Sequence, residues 1–381
     1  VRSVSSSAVD HDVRPRNEGR LPFIDGLRGI AALVVMAGHA MAIADPGSPF
    51  AHAGLAWLLL RPFLFGEQMV WLFILLSGFA LYWSENHRWE QGRSPTTLTA
   101  YARRRSWRIL PTYYVALAVG FIVVVPLGGL LTDPSSPSVA TYKPVTMDGL
   151  VSHLALAHTL SPAWAHQFNP PLWSIAFEAQ LYVLFPLLLM MVVRRTPVLL
   201  ACATLMLGVE VANRLLHLPM FGLAAWFFAG VVSAHTVYHR RLPHRVLLTV
   251  ATGCILLGFA RVPPFTGGLP AQVLWLVGFA CLVTGLVRAP SGRWNIPAHP
   301  AVVWLGHRSY SLYAIHFPVL LLVWACLSGW DLSHGPAVAA VLAIGLPAAI
   351  VAADVLYRSV ERPALTRMKA AGRRREAAVQ S

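Results

Sequence analysis

The sequence predicts an all-α protein: a polytopic membrane bundle of about ten transmembrane helices with both termini cytoplasmic. Three observations predict it, namely an excess of apolar residues, ten apolar runs of roughly spanning length, and basic residues confined almost wholly to one side. Of 381 residues, 56% are hydrophobic and only 12% are charged, with a mean hydropathy of +0.58. A soluble domain carries about 25% charged residues, roughly twice as many. The same composition excludes a disordered chain, a collagen and a disulfide-framed secreted scaffold, since four cysteines cannot frame a fold of this length.

A hydrocarbon core about 30 Å thick takes roughly 20 apolar helical residues to cross. Apolar runs bounded by charge or by Pro/Gly clusters fall at 24–44, 67–84, 109–131, 172–193, 197–215, 219–238, 245–260, 271–288, 306–328 and 336–357. With a cytoplasmic N-terminus, only Arg61, Lys143, Arg214 and Arg261 lie on the outer side, leaving 26 of the 30 basic residues inside. That asymmetry fixes the orientation, requires an even number of spans, and accounts for the net charge of +14 without nucleic acid. The first run also has the look of a secretory signal ending at Ala42-Ile43-Ala44, but Asp25, Arg28 and His39 interrupt it, so it reads as a span. Residues 1–20 and 366–381 read as polar, flexible tails around a single transmembrane domain over 21–365. The outer stretch 132–171 contains an apolar piece at 149–160 suited to dipping into the membrane without crossing. No internal repeat stands out. Cys202, Cys254, Cys281 and Cys326 sit in apolar stretches without CxxC spacing, so they read as packing residues, and no metal site is expected.

An ionisable side chain inside a span costs about 2.5 to 3.5 kcal/mol on insertion scales, which makes each one a functional candidate. Arg28 and His39 are eleven residues apart, about 20° past three full turns with a rise of about 16 Å, so they share one face of the first helix. They read as an anion-holding arginine below a general base, or as a snorkelling arginine and a histidine bonded to a neighbouring helix. Arg103-Arg104-Arg105-Ser106-Trp107-Arg108 precedes the third run at the cytoplasmic face. It suits a basic patch on anionic lipid, or a phosphate clamp in which Arg105 and Arg108 share a side. In the run opening at Asn169-Pro170-Pro171-Leu172-Trp173, Ser174, Glu178 and Tyr182 recur at i, i+4 and i+8 as a polar stripe, with Glu178 needing a His or Arg partner. In the ninth run, Ser309, Tyr313 and His316 line one side just before Pro318, which should kink the helix and free a carbonyl. Glu67, Glu210, His235 and Asp354 are isolated and read as structural pairs.

Six fragments in register resemble the acyltransferase 3 family of integral membrane O-acyltransferases. They are Asp25-Gly26-Leu27-Arg28-Gly29 with His39; Phe73-Ile74-Leu75-Leu76-Ser77-Gly78-Phe79; and Arg105-Ser106-Trp107-Arg108-Ile109-Leu110-Pro111. Further on come Leu172-Trp173-Ser174 with Glu178; Ser309-Tyr310-Ser311-Leu312-Tyr313 with His316; and Glu361-Arg362-Pro363. The resemblance runs from about 21 to 365. It implies ten helices and transfer of an acetyl or similar short acyl group to a hydroxyl from acyl-CoA, a co-substrate rather than a tightly bound cofactor. The family's Arg-x10-His pattern falls on Arg28 and His39, and its Arg-x-x-Arg pattern on Arg105 and Arg108. No extracytoplasmic hydrolase-like domain is expected here. With the strong preference for Arg over Lys, which suits a GC-rich bacterial genome, this resembles single-domain members that acylate macrolides or other polyketide antibiotics, although stand-alone polysaccharide modifiers exist as well.

Acyl transfer from a thioester requires removal of a hydroxyl proton, and a neutral imidazole is the usual base near pH 7. His39 is the expected base, with Glu178 or another carboxylate expected to orient it. Arg28, Arg105 and Arg108 are the expected donor-binding residues, holding CoA phosphates; Trp173, Ser174, Tyr182, Ser309, Tyr313 and His316 are expected to contact substrate or to support the site. The expected partners are acyl-CoA, a hydroxyl-bearing glycan or macrolide, and the lipid of a bacterial plasma membrane. A proton-coupled transporter is the alternative, because intramembrane His and Glu also form proton relays, but transporters often show the repeats and paired broken helices that are missing here.

Overall fold

The computed structural model describes residues 21–45, 55–131, 145–216, 223–240, 242–289, 296–330 and 332–380; the N-terminal tail read at 1–20 and the stretch 132–144 lie outside them. No strand occurs among the described residues. The helices are α1 (Pro22–Ala44), α2 (Leu55–Leu60), α3 (Gly66–Glu90), α4 (Leu98–Leu127), α5 (Met147–Leu154), α6 (Leu172–Val193) and α7 (Val198–Leu216). They continue as α8 (Ala224–His239), α9 (His244–Ala260), α10 (Gly268–Arg288), α11 (Pro300–Leu327), α12 (His334–Ala340), α13 (Leu346–Leu356) and α14 (Arg362–Gln380). Within the described residues each of the ten apolar runs is helical, 219–222 of the sixth run lying outside them. Among the described residues, seven helical stretches are long and apolar enough to cross a membrane. α8 and α9, with 16 and 17 residues, and the apolar part of α7, Val198–Asn213, are shorter.

Three boundaries differ from the sequence reading, each for a local reason. α4 begins at Leu98 rather than 109, because the arginine cluster is itself helical and Thr97 caps it, its side chain accepting from the Ala100 N–H. The 366–380 segment, expected to be flexible, is helical, and its Ala, Arg, Lys, Glu and Gln residues are good helix formers. Between α13 and α14 the rod passes through a π-helical turn, Tyr357–Glu361. The turn ends just before Pro363, which has no N–H to offer the preceding turn. It leaves Glu361 buried.

Close backbone approach sets the core. A methyl group on Gly306 of α11 would stand 1.9 Å from the Asp25 carbonyl oxygen of α1, and one on Gly29 would stand 2.7 Å from the Gly306 nitrogen. The two helices therefore meet backbone to backbone at their inner ends. They run in the same direction, and ten residues beyond this contact lie His39 on one and His316 on the other. Ten residues is one heptad plus three, the step between the two seam positions of a parallel helix pair.

The outer segment enters the bundle. The Asn169 amide donates to the Ala116 carbonyl at 3.3 Å and to the Ala314 carbonyl at 2.9 Å, and these acceptors lie close to the midpoints of α4 and α11. Ala314 is the residue whose usual helical donor is lost because position 318 is proline, so the side-chain amide fills the place of the missing N–H. α6 consequently starts deep in the bundle. Tyr113 and Tyr114 of α4 hold the segment from the other side, donating to the carbonyls of His153 and Leu154, each at 2.8 Å.

Candidate functional site

One polar cavity toward the inner side and one histidine pair beyond it follow from these register choices. The cavity, of about 50 Å³, is lined by α1, α3, α4, α6 and α11, room for a few waters. Arg28, Arg108, Ser77, Glu178, Tyr182 and Ser309 give it polarity, and Phe73, Ile74, Ile175 and Tyr313 close it. Glu178 accepts from the Ser77 hydroxyl and from the Tyr182 phenol. Arg108 faces Glu361, Tyr182, Glu178 and Tyr310, while Arg28 faces Arg108, Tyr182, Glu178 and Asp25. Glu361 in turn accepts from Ser311 at 2.6 Å, so the π-helical turn sends a carboxylate back toward the arginines. Arg105 does not line the cavity; its guanidinium lies over the Tyr182 ring at 5.3 Å and the Tyr101 ring at 5.7 Å.

The start of α4, and with it the arginine cluster, is tied down from α3. Glu85, buried at the inner end of α3, accepts from the Thr96 N–H at 3.2 Å and from its hydroxyl at 2.5 Å, and Arg104 donates to the same hydroxyl at 2.8 Å. The loop between the helices is thereby fixed, and with it the direction from which Arg105 and Arg108 enter the bundle.

Toward the outer side two imidazoles meet. His39 Nδ1 lies 2.9 Å from His316 Nε2, with the rings stacked at 5.1 Å between centroids. His316 is fully buried and its Nδ1 lies 3.1 Å from the Leu312 carbonyl and 2.9 Å from the Tyr313 carbonyl. The Phe317 ring meets His39 edge-on at 5.6 Å. Between the cavity and the histidine pair stands Tyr313, whose hydroxyl lies 2.7 Å from the Ser174 hydroxyl and whose ring lies 5.8 Å from that of His316.

Arg28, Arg108, Glu178, Tyr182, Ser174, Ser309 and Tyr313 thus converge on one cavity, and His39 and His316 converge on each other one ring away. Trp173 stands apart from both, its ring edge-on to His166 at 6.5 Å. The expected pairing of Glu178 with His39 is corrected: the hydrogen bond of His39 goes to His316, and the carboxylate is taken up by Ser77 and Tyr182. The reason is depth. Because α6 starts near the bundle's midlevel, Glu178 lies a turn below Ser174, on the arginine side of Tyr313. The sequence reading did not single out Ser77, Asn169, Tyr310 or Glu361 as site residues. Each does stand in one of the polar or resembling fragments, and that position was the available signal. Asp354, read as a structural pair, holds Arg308 at 2.6 Å and Arg358 at 2.8 Å, and His235 meets the Tyr82 hydroxyl at 3.2 Å.

Comparison with known proteins gives a match to a family described as an acyltransferase domain, acyltransferase 3, over residues 21–358. The acyltransferase MdmB of Streptomyces mycarofaciens is 34% identical over 181 residues, a stretch that makes up 47% of this chain and 41% of that protein. The chain therefore spans less than half the length of this relative. No solved structure matches it.

Proposed function

The chain belongs to the acyltransferase 3 family, an acyltransferase built as an integral membrane bundle, and from that premise we propose that it moves an acetyl or other short acyl group from acyl-CoA to a hydroxyl. The observation that carries this reading is the arrangement of two arginines from separate helices around one cavity, with a histidine pair a single tyrosine ring beyond it. Guanidinium forks suit phosphate oxygens. Arg28 and Arg108, with Arg105 beside them, would hold the CoA phosphates at the inner end, while Ser77 and Tyr182 keep the Glu178 carboxylate from closing onto those arginines. His39 removes the proton from the acceptor hydroxyl, and the oxygen adds to the thioester carbonyl. The carbon–sulfur bond then breaks, and the departing thiolate takes the proton from the imidazolium, leaving ester and free CoA. The acceptor class that the sequence resemblance favours is a macrolide or related polyketide, with a glycan second, in a bacterial plasma membrane.

The test is thiol release. Purified protein in lipid, incubated with acetyl-CoA and a panel of macrolides and sugars, should release free CoA with at least one acceptor and give a product heavier by one acetyl group. Absence of thiol release with every acceptor, combined with proton-coupled uptake of any of them into sealed vesicles, would replace the enzyme reading with the transporter one.

A further inference from the structure

We propose that His316 is a positioning residue that fixes the tautomer of His39, leaving the Nε2 of His39 as the basic atom. The inference rests on the reading of His39 as the base, and it follows from which atoms can donate. Carbonyl oxygens only accept, so the His316 Nδ1, at 3.1 and 2.9 Å from the Leu312 and Tyr313 carbonyls, carries a proton. A neutral imidazole has one N–H, so the His316 Nε2 presents a lone pair. The atom 2.9 Å from it, the His39 Nδ1, must therefore be the donor. His39 is then protonated at Nδ1, and its Nε2 is the free lone pair.

The arrangement does with a neutral ring what a carboxylate does in a hydrolase triad: it selects one tautomer, orients the ring, and accepts more strongly once the base has taken up a proton. The partners of His316 are two backbone carbonyls and one imidazole, with no carboxylate among them. Those carbonyls belong to the residues three and four positions earlier on the same helix. The donor direction is thus built into α11 itself and persists whatever occupies the cavity. The register set at Gly29 and Gly306 then delivers the lone pair to His39.

Two experiments test this on the full-length protein. With acetyl-CoA and the acceptor identified by thiol release, His316→Ala should lower kcat on the order of 10²-fold, with the KM for acetyl-CoA within about twofold. His316→Gln, whose amide oxygen can accept from the His39 Nδ1–H, should recover most of that loss. Equal losses for Ala and Gln, or unchanged turnover in His316→Ala while His39→Ala is inactive, would overturn the proposal. Inactivity of the wild-type protein would instead count against the acyltransferase reading. The second experiment needs no turnover: nitrogen NMR of protein labelled at histidine, with His39 assigned by difference against His39→Gln, should show a protonated Nδ1 and a bare Nε2. The opposite tautomer would overturn the proposal.

Discussion

The inner chamber and the outer histidine pair are built on different plans. The inner one draws its polar groups from α1, α3, α4, α6 and α11, so that two guanidiniums, a carboxylate, three serine hydroxyls and three phenols share one cavity. The outer one is a single contact across one helix seam, two rings joined by one hydrogen bond. A crowd of donors can cover for a lost member, whereas a pair cannot. On the proposed reading the difference separates binding from chemistry: substitutions in the inner chamber should act on affinity for the anionic donor, and disturbance of the seam should act on turnover.

The largest effect after direct removal of the base should come from Gly306→Ala. Its methyl would stand 1.9 Å from the Asp25 carbonyl, so α11 must move away from α1, and the histidines ten residues along must part. A misplacement of about 1 Å can cost roughly 10²-fold in rate. Steady-state kinetics should show that loss in kcat, while the protein still inserts and purifies. A variant with wild-type kcat would show that the seam does not set the histidine geometry.

Arg108→Gln comes next. It keeps a polar side chain of similar length but loses the charge, and a hydrogen bond to a charged group contributes about 1.5 to 3 kcal/mol. The KM for acetyl-CoA should rise roughly 10- to 100-fold with little change in kcat. Arg105→Gln should have a smaller effect, because its guanidinium rests on tyrosine rings outside the cavity. A larger effect from Arg105 than from Arg108 would reverse the assignment of the inner chamber.

The smallest expected effect on turnover, felt instead in stability, lies away from the cavity and the histidine pair, where the outer segment packs against α4. The His153 and His158 rings are buried face to face at 3.8 Å, with Tyr113 and Phe168 around them. Burial pushes His153 down to about 4 and, with His153 beside it, His158 down to about 3, and His166 adds a further positive neighbour to each. Both are neutral in the fold and take up protons more readily once unfolded. Stability is therefore full above the unfolded value of about 6.5 and is lost as pH falls toward 4 and 3. Each contributes about 2 kcal/mol of destabilisation at pH 5. Thermal unfolding between pH 7 and 5 should show the decline, and His158→Phe should flatten it. An identical slope in that variant would remove these histidines from the account.

Much of this plan was legible from the residues. The eleven-residue spacing of Arg28 and His39 put both on one face of α1, and the stripe of Ser174, Glu178 and Tyr182 marked the wall of the inner chamber. The partner of Glu178 was not legible, because the depth of α6 depends on Asn169 reaching carbonyls on α4 and α11 that lie 53 and 145 residues away. The pairing of His39 with His316 was hidden for a similar reason: 277 residues separate them, and a glycine contact on another part of the seam sets their register. Hydropathy found the spans but placed the start of α4 late, since arginines that stay helical do not look apolar.

The most direct measurement of the central claim is the turnover of His39→Ala, purified in lipid beside the wild type, with acetyl-CoA binding followed separately. Acyl transfer should fall at least a thousandfold, about 4 kcal/mol in the barrier, while acetyl-CoA still binds through the untouched arginines. Turnover equal to the wild type would contradict the assignment of the base and, with it, the division of labour between the inner cavity and the histidine pair.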